Sequence, residues 1–139
     1  MLRKRLIPVL LLCDGMLAKT QKFKRPCYIG DPVNTIRIFN GLGVDEIIVL
    51  DISRNRQVPD YDNLKDIARE CFVPLSYGGS VNSLGTAEKI FALGYEKIIL
   101  NTAAINNPSI ISEISNKFGS QATVVSIDYK KSLIWGTKV

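Results

Sequence analysis

The chain has 139 residues, of which 46% are hydrophobic and 22% charged, enough for one domain with a real core. It contains no histidine, which excludes a Ser-His-Asp or Cys-His nucleophile, a histidine-ligated metal and an imidazole general base. Its formal charge of +5 suits an anionic ligand, but no nucleic-acid-binding motif accompanies it, so a nucleic-acid partner is not expected.

Arg3, Lys4 and Arg5 precede an apolar run, Leu6 to Leu12, that contains a proline and is far too short to span a bilayer. No small-residue cleavage site follows, so the run reads as a buried strand ending in a turn at Cys13-Asp14-Gly15 rather than as a secretion signal. A cytoplasmic protein with no membrane partner is expected. Its three cysteines, Cys13, Cys27 and Cys71, have no metal-ligand spacing and read as reduced thiols. Lys19, Lys22, Lys24 and Arg25 then crowd a loop-like segment. Such a cluster is either a solvated basic loop or an attractor for a phosphorylated metabolite.

Gly30-Asp31-Pro32 gives a helix start, with Asp31 as N-cap and Pro32 in the first helical position. That helix carries Val33, Ile36, Ile38 and Phe39 and stops near Gly41 and Gly43. A buried strand, Glu46 to Asp51, precedes a helix from about Tyr61 to Cys71. Val73 to Tyr77 is a third strand, ending at Gly78-Gly79, and a helix from about Ser83 to Leu93 leads to the strand Lys97 to Asn101. Asn107-Pro108 caps a fourth helix running to about Phe118, and Thr123 to Asp128 is a fifth strand. The tail from Lys131 to Val139 reads as the start of a hairpin or an extension.

Strands apolar throughout and separated by helices mean a parallel sheet covered by helices, either a doubly wound sheet or a (βα)8 barrel. An internal repeat favours the barrel. Gly43 to Asp51 is echoed by Gly94 to Asn101, and Ile7-Pro8 by Val73-Pro74, each two βα units later. A G-x-G-x-x-G after the first strand, expected of a dinucleotide-binding sheet, is absent. A complete barrel takes about 250 residues. The fold class is therefore α/β, of the (βα)8 TIM-barrel family, with residues 1–139 as a single N-terminal half-barrel of about four βα units plus a fifth strand. Such a half would leave its first and fifth strands as open edges that invite self-association.

Active sites of βα barrels lie at the C-terminal ends of the strands. Those ends hold Leu11 to Asp14, Asp51, Ser76 to Ser80, Asn101-Thr102 and Asp128. Gly78-Gly79-Ser80 before a helix offers backbone N–H groups to an anion, and Asn101 and Thr102 can add donors. The alternative is that the glycines only permit a tight turn. Asp128 can act as a general acid, a general base or an orienting group, or can merely cap a helix. At the strand starts, Arg5, Glu46 and Lys97 could form a ring of ion pairs, a face usually tied to stability.

These residues also carry a resemblance. Arg5-Leu6-Ile7-Pro8, Asp14-Gly15, Gly30-Asp31-Pro32, Leu50-Asp51-Ile52, Gly78-Gly79, Asn101-Thr102-Ala103-Ala104, Phe118-Gly119-Ser120-Gln121 and Ile127-Asp128 resemble, in register over essentially the whole chain, the cyclase subunit of imidazole glycerol phosphate synthase. The resemblance implies a glutaminase partner in a heterodimer, a phosphorylated small-molecule ligand, and no cofactor or metal. Ammonia would enter at the strand starts and cross the barrel interior. By position, Lys19 matches a mobile-loop lysine that contacts substrate, and Asp128 one of two catalytic aspartates. Gly78, Gly79, Ser80, Asn101 and Thr102, with Ser76 on the same strand, would bind substrate phosphate. Arg5, Glu46 and Lys97 match the ammonia gate, and Glu96 a residue facing the glutaminase.

The second catalytic aspartate is replaced by Leu11, which cannot transfer a proton. Ser80 stands where the family pattern has another glycine. The leucine block and Lys22-Phe23-Lys24 resemble family members associated with surface-polysaccharide gene sets. The expectation is an ammonia-conducting subunit serving amidination of a polysaccharide sugar. The alternative is a true cyclase that forms imidazole glycerol phosphate and AICAR in histidine biosynthesis. A third reading is a half-barrel that binds phosphate or self-associates without turnover.

Overall fold

The computed structural model describes residues 3–21, 24–132 and 136–138. In chain order the elements are β1 (Val9–Cys13), β2 (Met16–Gln21), β3 (Lys24–Gly30), α1 (Pro32–Leu42), β4 (Ile47–Asp51), α2 (Tyr61–Glu70), β5 (Leu75–Gly78), α3 (Leu84–Ala92), β6 (Lys97–Leu100), α4 (Thr102–Asn106), α5 (Ser109–Phe118), β7 (Thr123–Val125), β8 (Lys130–Ser132) and β9 (Gly136–Lys138). Seven strands form one sheet in the order β3-β2-β1-β4-β5-β6-β7. The pairs from β1 through β4, β5 and β6 to β7 are all parallel. With the helices between them they make a partial (βα)8 barrel.

Local chemistry sets the element ends. The Asp31 side chain accepts the Asn34 N–H at 2.8 Å, and Pro32 occupies the first turn of α1, as expected from the sequence. Gly43 closes that helix at φ +67°, a left-handed conformation that a Cβ would penalise. Asp60 and Ser83 cap α2 and α3 in the same way, accepting from Asn63 and Thr86. Each helix buries one narrow stripe: Ile36 from α1, Leu64 and Ile67 from α2, Ala87 and Ile90 from α3, Ile110 and Ile114 from α5. These pack on Ile47, Val49, Leu75, Tyr77, Ile98 and Leu100 of the sheet. Burying each such aliphatic side chain contributes about 1.5–3 kcal/mol, so this layer carries the fold. Ile38, one of the apolar residues that α1 carries, is exposed, because the buried stripe follows Pro32, Ile36 and Phe39.

Three expectations change. The basic segment around Lys19 is not a loop: β2 and β3 form an antiparallel hairpin, although Lys22 and Phe23 lie outside the described residues. Asp14 and Gly15 turn the chain from β1 into β2, with φ of +51° and +84°. A two-residue turn with both φ positive suits the right-handed twist of the strands it joins. Consequently β1 is not an open edge along its whole length, since Leu12 and Cys13 pair with Leu17 and Met16. The fifth parallel strand is shorter than read, ending at Val125, though the Ser126 N–H still donates to Leu100 O at 2.8 Å. The expected tail hairpin is present as β8 paired with β9.

Candidate functional site

Strand register sorts the sheet's helix-free face into layers. Partners in parallel strands share a face, so Val9, Ile48, Ser76 and Lys97 form one row. Two residues further along, Leu11, Leu50, Gly78, Ile99 and Val124 form the next. Glu46 lies below the first row, and Asn101 and Asp128 lie beyond the second.

The lower end is a closed charge cluster. Glu46 is 3% exposed. Its Oε2 accepts from Arg5 Nη2 at 2.8 Å, and Lys97 Nζ stands 2.7 Å from both carboxylate oxygens. Ser76 Oγ donates to Oε1 at 2.6 Å. Burial alone would raise the Glu46 carboxyl, but hydrogen bonds from Lys97, Ser76 and Arg5 outweigh it and hold the group below its ordinary value. Arg5, Glu46 and Lys97 are thus brought together as the sequence suggested. Ser76 is not with the phosphate residues: its buried hydroxyl points to Glu46 because strand alternation puts it in the row beside Lys97. Glu96 is exposed on the same rim, immediately before β6.

The row above contains no titratable group. Leu11 is half-buried beside Leu50, and a Cβ on Gly78 would come 2.9 Å from Leu50 Cδ2 and 3.1 Å from Ile99 Cβ. Gly78 therefore lets two aliphatic neighbours meet across the strand, which is a packing role.

At the strand C-termini the turn after β5 is tightly built. Gly79 has φ +137°, and a Cβ there would lie 2.7 Å from Asp51 Cβ and its carbonyl oxygen. Ser80 follows at φ +51°, and its hydroxyl donates to Arg56 O at 2.7 Å. With that hydroxyl engaged, the loop's remaining donors are backbone N–H groups ahead of α3. Asn101 Nδ2 donates to Asp128 Oδ2 at 3.0 Å, so the amide is turned toward the carboxylate, and Thr102 lies beside it at the start of α4. Sequence reasoning did not foresee the Asn101–Asp128 bond, because 27 residues separate the partners.

Lys19 stays apart. It is exposed on β2, opposite Cys27, and four strands separate β2 from β7 in the sheet order. Only curling the sheet toward closure would bring its ammonium toward Asp128. Asp51 orients a loop: its Oδ1 accepts the Ser53 N–H at 2.9 Å, and Ser53 Oγ accepts the Asp14 N–H at 2.8 Å. No described helix is long and apolar enough to cross a membrane.

Comparison with known proteins gives a consistent result. A family model described as histidine biosynthesis protein matches residues 5–139. A Pseudomonas aeruginosa protein, provisionally named as a subunit of imidazole glycerol phosphate synthase, is 54% identical over 138 residues, covering 98% of this chain and 55% of that protein. A similarly named protein from Leptospira interrogans is 48% identical, covering 96% and 54%. The imidazole glycerol phosphate synthase subunit of Chlorobium phaeovibrioides is 41% identical, covering 94% and 53%. The chain spans about half the length of the relatives it matches.

Proposed function

We propose, from the premise that this chain belongs to the histidine biosynthesis protein family, that it supplies the N-terminal half of a barrel that conducts ammonia from a glutaminase. The observation that carries this reading is the layering of the helix-free sheet face. A charged cluster around Glu46 closes the strand starts, and above it Leu11, Leu50, Ile99 and Val124 make a row without a titratable group. Ammonia is small and neutral and can cross an apolar layer, whereas ammonium would pay a large desolvation cost. Separation of Lys97 from Glu46 would open the entrance. Exposed Glu96 lies on the same rim, suited to facing the glutaminase subunit.

Leu11 removes one of the two carboxylates that the family's ring closure needs, so delivery to a separate acceptor is favoured over chemistry at this mouth. Amidination of a surface-polysaccharide sugar is the destination we favour. The Gly79-Ser80 and Asn101-Thr102 turns would hold a phosphate through backbone N–H groups, which lets a bound ligand signal occupancy to the entrance. The second reading, a true cyclase forming imidazole glycerol phosphate and AICAR, is favoured by one contact. Asn101 holds Asp128 in one orientation with its second carboxylate oxygen left for proton transfer.

Glutamine hydrolysis by the purified cognate glutaminase separates the two. It is measured with and without the complete barrel carrying this chain, with the cyclase substrate added in parallel. Stimulated hydrolysis with no imidazole product supports conduction. Product formed at a normal rate overturns it and makes the protein a cyclase despite Leu11.

A further inference from the structure

On the reading of Gly79-Ser80 as an anion turn, we propose that Ser80 is its positioning residue. The Ser80 hydroxyl locks the turn to the loop between β4 and α2 and, through Asn63, to the hairpin turn at Gly15. Ser80 takes φ +51°, a conformation that glycine adopts freely and that costs a residue with a Cβ. Among the described residues only Asp14, Arg25 and Ser80 do so without being glycine. The hydroxyl is not free for a ligand, since it donates to Arg56 O at 2.7 Å, 24 residues away in sequence. A side chain that accepts backbone strain to reach a distant carbonyl fixes where its turn lies.

From Arg56 the connection continues residue by residue. Arg56 Nη1 lies 2.8 Å from Asp60 Oδ2. Asp60 Oδ1 accepts the Asn63 N–H at 3.3 Å and so opens α2. Asn63 Nδ2 then donates to Gly15 O at 2.8 Å, in the turn that leads into β2 and Lys19. The base of the β4–α2 loop is fixed by other bonds. Ile52 N–H donates to Leu12 O at 2.8 Å, and Asp51 Oδ1 accepts the Ser53 N–H. The loop is therefore anchored where it leaves β4, and Ser80 sets the place of its far half. An anion that draws the Gly79 and Ser80 N–H groups toward itself pulls on Arg56 O through the Ser80 hydroxyl. Asp60 and Asn63 pass that displacement to the peptide between Gly15 and Met16. Coupling of this kind runs through a contiguous chain of bonds and is tested by cutting them one at a time.

Backbone and side-chain amide resonances of the whole chain, titrated with inorganic phosphate at constant ionic strength, test this. Expected in the parent are saturable shifts at Gly79 and Thr102. Shifts at Arg56, the Asn63 side-chain amide and Met16, whose N–H belongs to the Gly15 peptide, should join them with the same midpoint. Ser80→Gly should fold as well as the parent, because relief of the positive φ offsets the lost hydrogen bond. It should keep the shifts at Gly79 and Thr102 and lose those at Arg56, Asn63 and Met16. Phosphate affinity should fall about fivefold, the worth of one ordinary hydrogen bond that holds the turn ready. Asn63→Ala should spare Gly79, Thr102 and Arg56 and silence Met16. Undiminished shifts at Arg56 and Met16 in Ser80→Gly, or parent shifts confined to Gly79 and Thr102, would overturn the role of Ser80 and leave the anion turn standing. No saturable shift at Gly79 in the parent would remove the anion turn itself, and the role of Ser80 with it.

Discussion

Glu46 shows how one buried carboxylate can be both a structural tie and a sensor of acid. Three side chains donate to it, and their combined effect holds its carboxyl below the ordinary value despite burial. A group whose folded value is depressed binds fewer protons in the native state. Its contribution to stability is fully present above the unfolded value, about 4.3, and is lost as pH falls through the folded one. Asp60, lowered by its hydrogen bond from Arg56, acts in the same direction. Replacing Lys97 with methionine removes the shortest of the cationic contacts and lets the Glu46 carboxyl rise. The expected outcome is a loss of about 1–3 kcal/mol at neutral pH. Between pH 3 and 5 the midpoint of urea unfolding should also depend less on pH than in the parent. Parallel curves across that range would show that Lys97 does not tune Glu46.

The elements that present the site are the turns after β1 and β5, and each depends on a residue that accepts an unusual backbone. Gly79→Ala places a Cβ 2.7 Å from the Asp51 backbone at φ +137°. Thermal unfolding should show a loss of about 3 kcal/mol, with phosphate affinity falling alongside because the β5–α3 loop is displaced. The opposite sign is expected within β5. Tyr77 is fully buried against Tyr95, and its hydroxyl has no hydrogen-bond partner among the described residues. Tyr77→Phe should therefore be neutral or stabilising by about 1 kcal/mol in the same assay, and a clear loss would mean that the hydroxyl is satisfied. These positions also show what the sequence discloses. Asp31, Pro32 and Gly43 announce α1 because caps are local chemistry, and the Asp14-Gly15 pair signals a hairpin as plainly. The hairpin escaped the sequence reading because its strands are basic and weakly alternating, which reads as a loop. The reading of Ser76 as a phosphate ligand missed its actual partner for another reason. Its partner Glu46 is 30 residues away, and only strand register shows which face they share.

At the scale of the whole molecule the sheet has two unlike faces. One is sealed by helices, while the other leaves Val9 52% and Val124 38% exposed in two rows whose polar members are Ser76 and Lys97. β7 is the last strand of the sheet, and its outer edge offers unpaired backbone groups among the described residues. An apolar parallel face beside an open edge is a template for association, and charges pointing inward are the usual defence against it. Here Lys97 is the inward-facing cation of the rows, and Glu46 already neutralises it. We therefore expect the isolated 139-residue chain to sediment with a mass of at least twice its 15.4 kDa at micromolar concentration. Val124→Glu puts an unpaired carboxylate into the row beside Ile99 without touching the helix-covered core. It should shift the protein toward monomer while preserving its far-ultraviolet circular dichroism. Added full-length glutaminase should not reverse that shift, because Glu96 and the Glu46 cluster lie at the strand starts and Val124 lies on a higher row. A parent chain that sediments as a monomer would mean that its open face is tolerated in water, and the half-barrel would then be a self-sufficient fold.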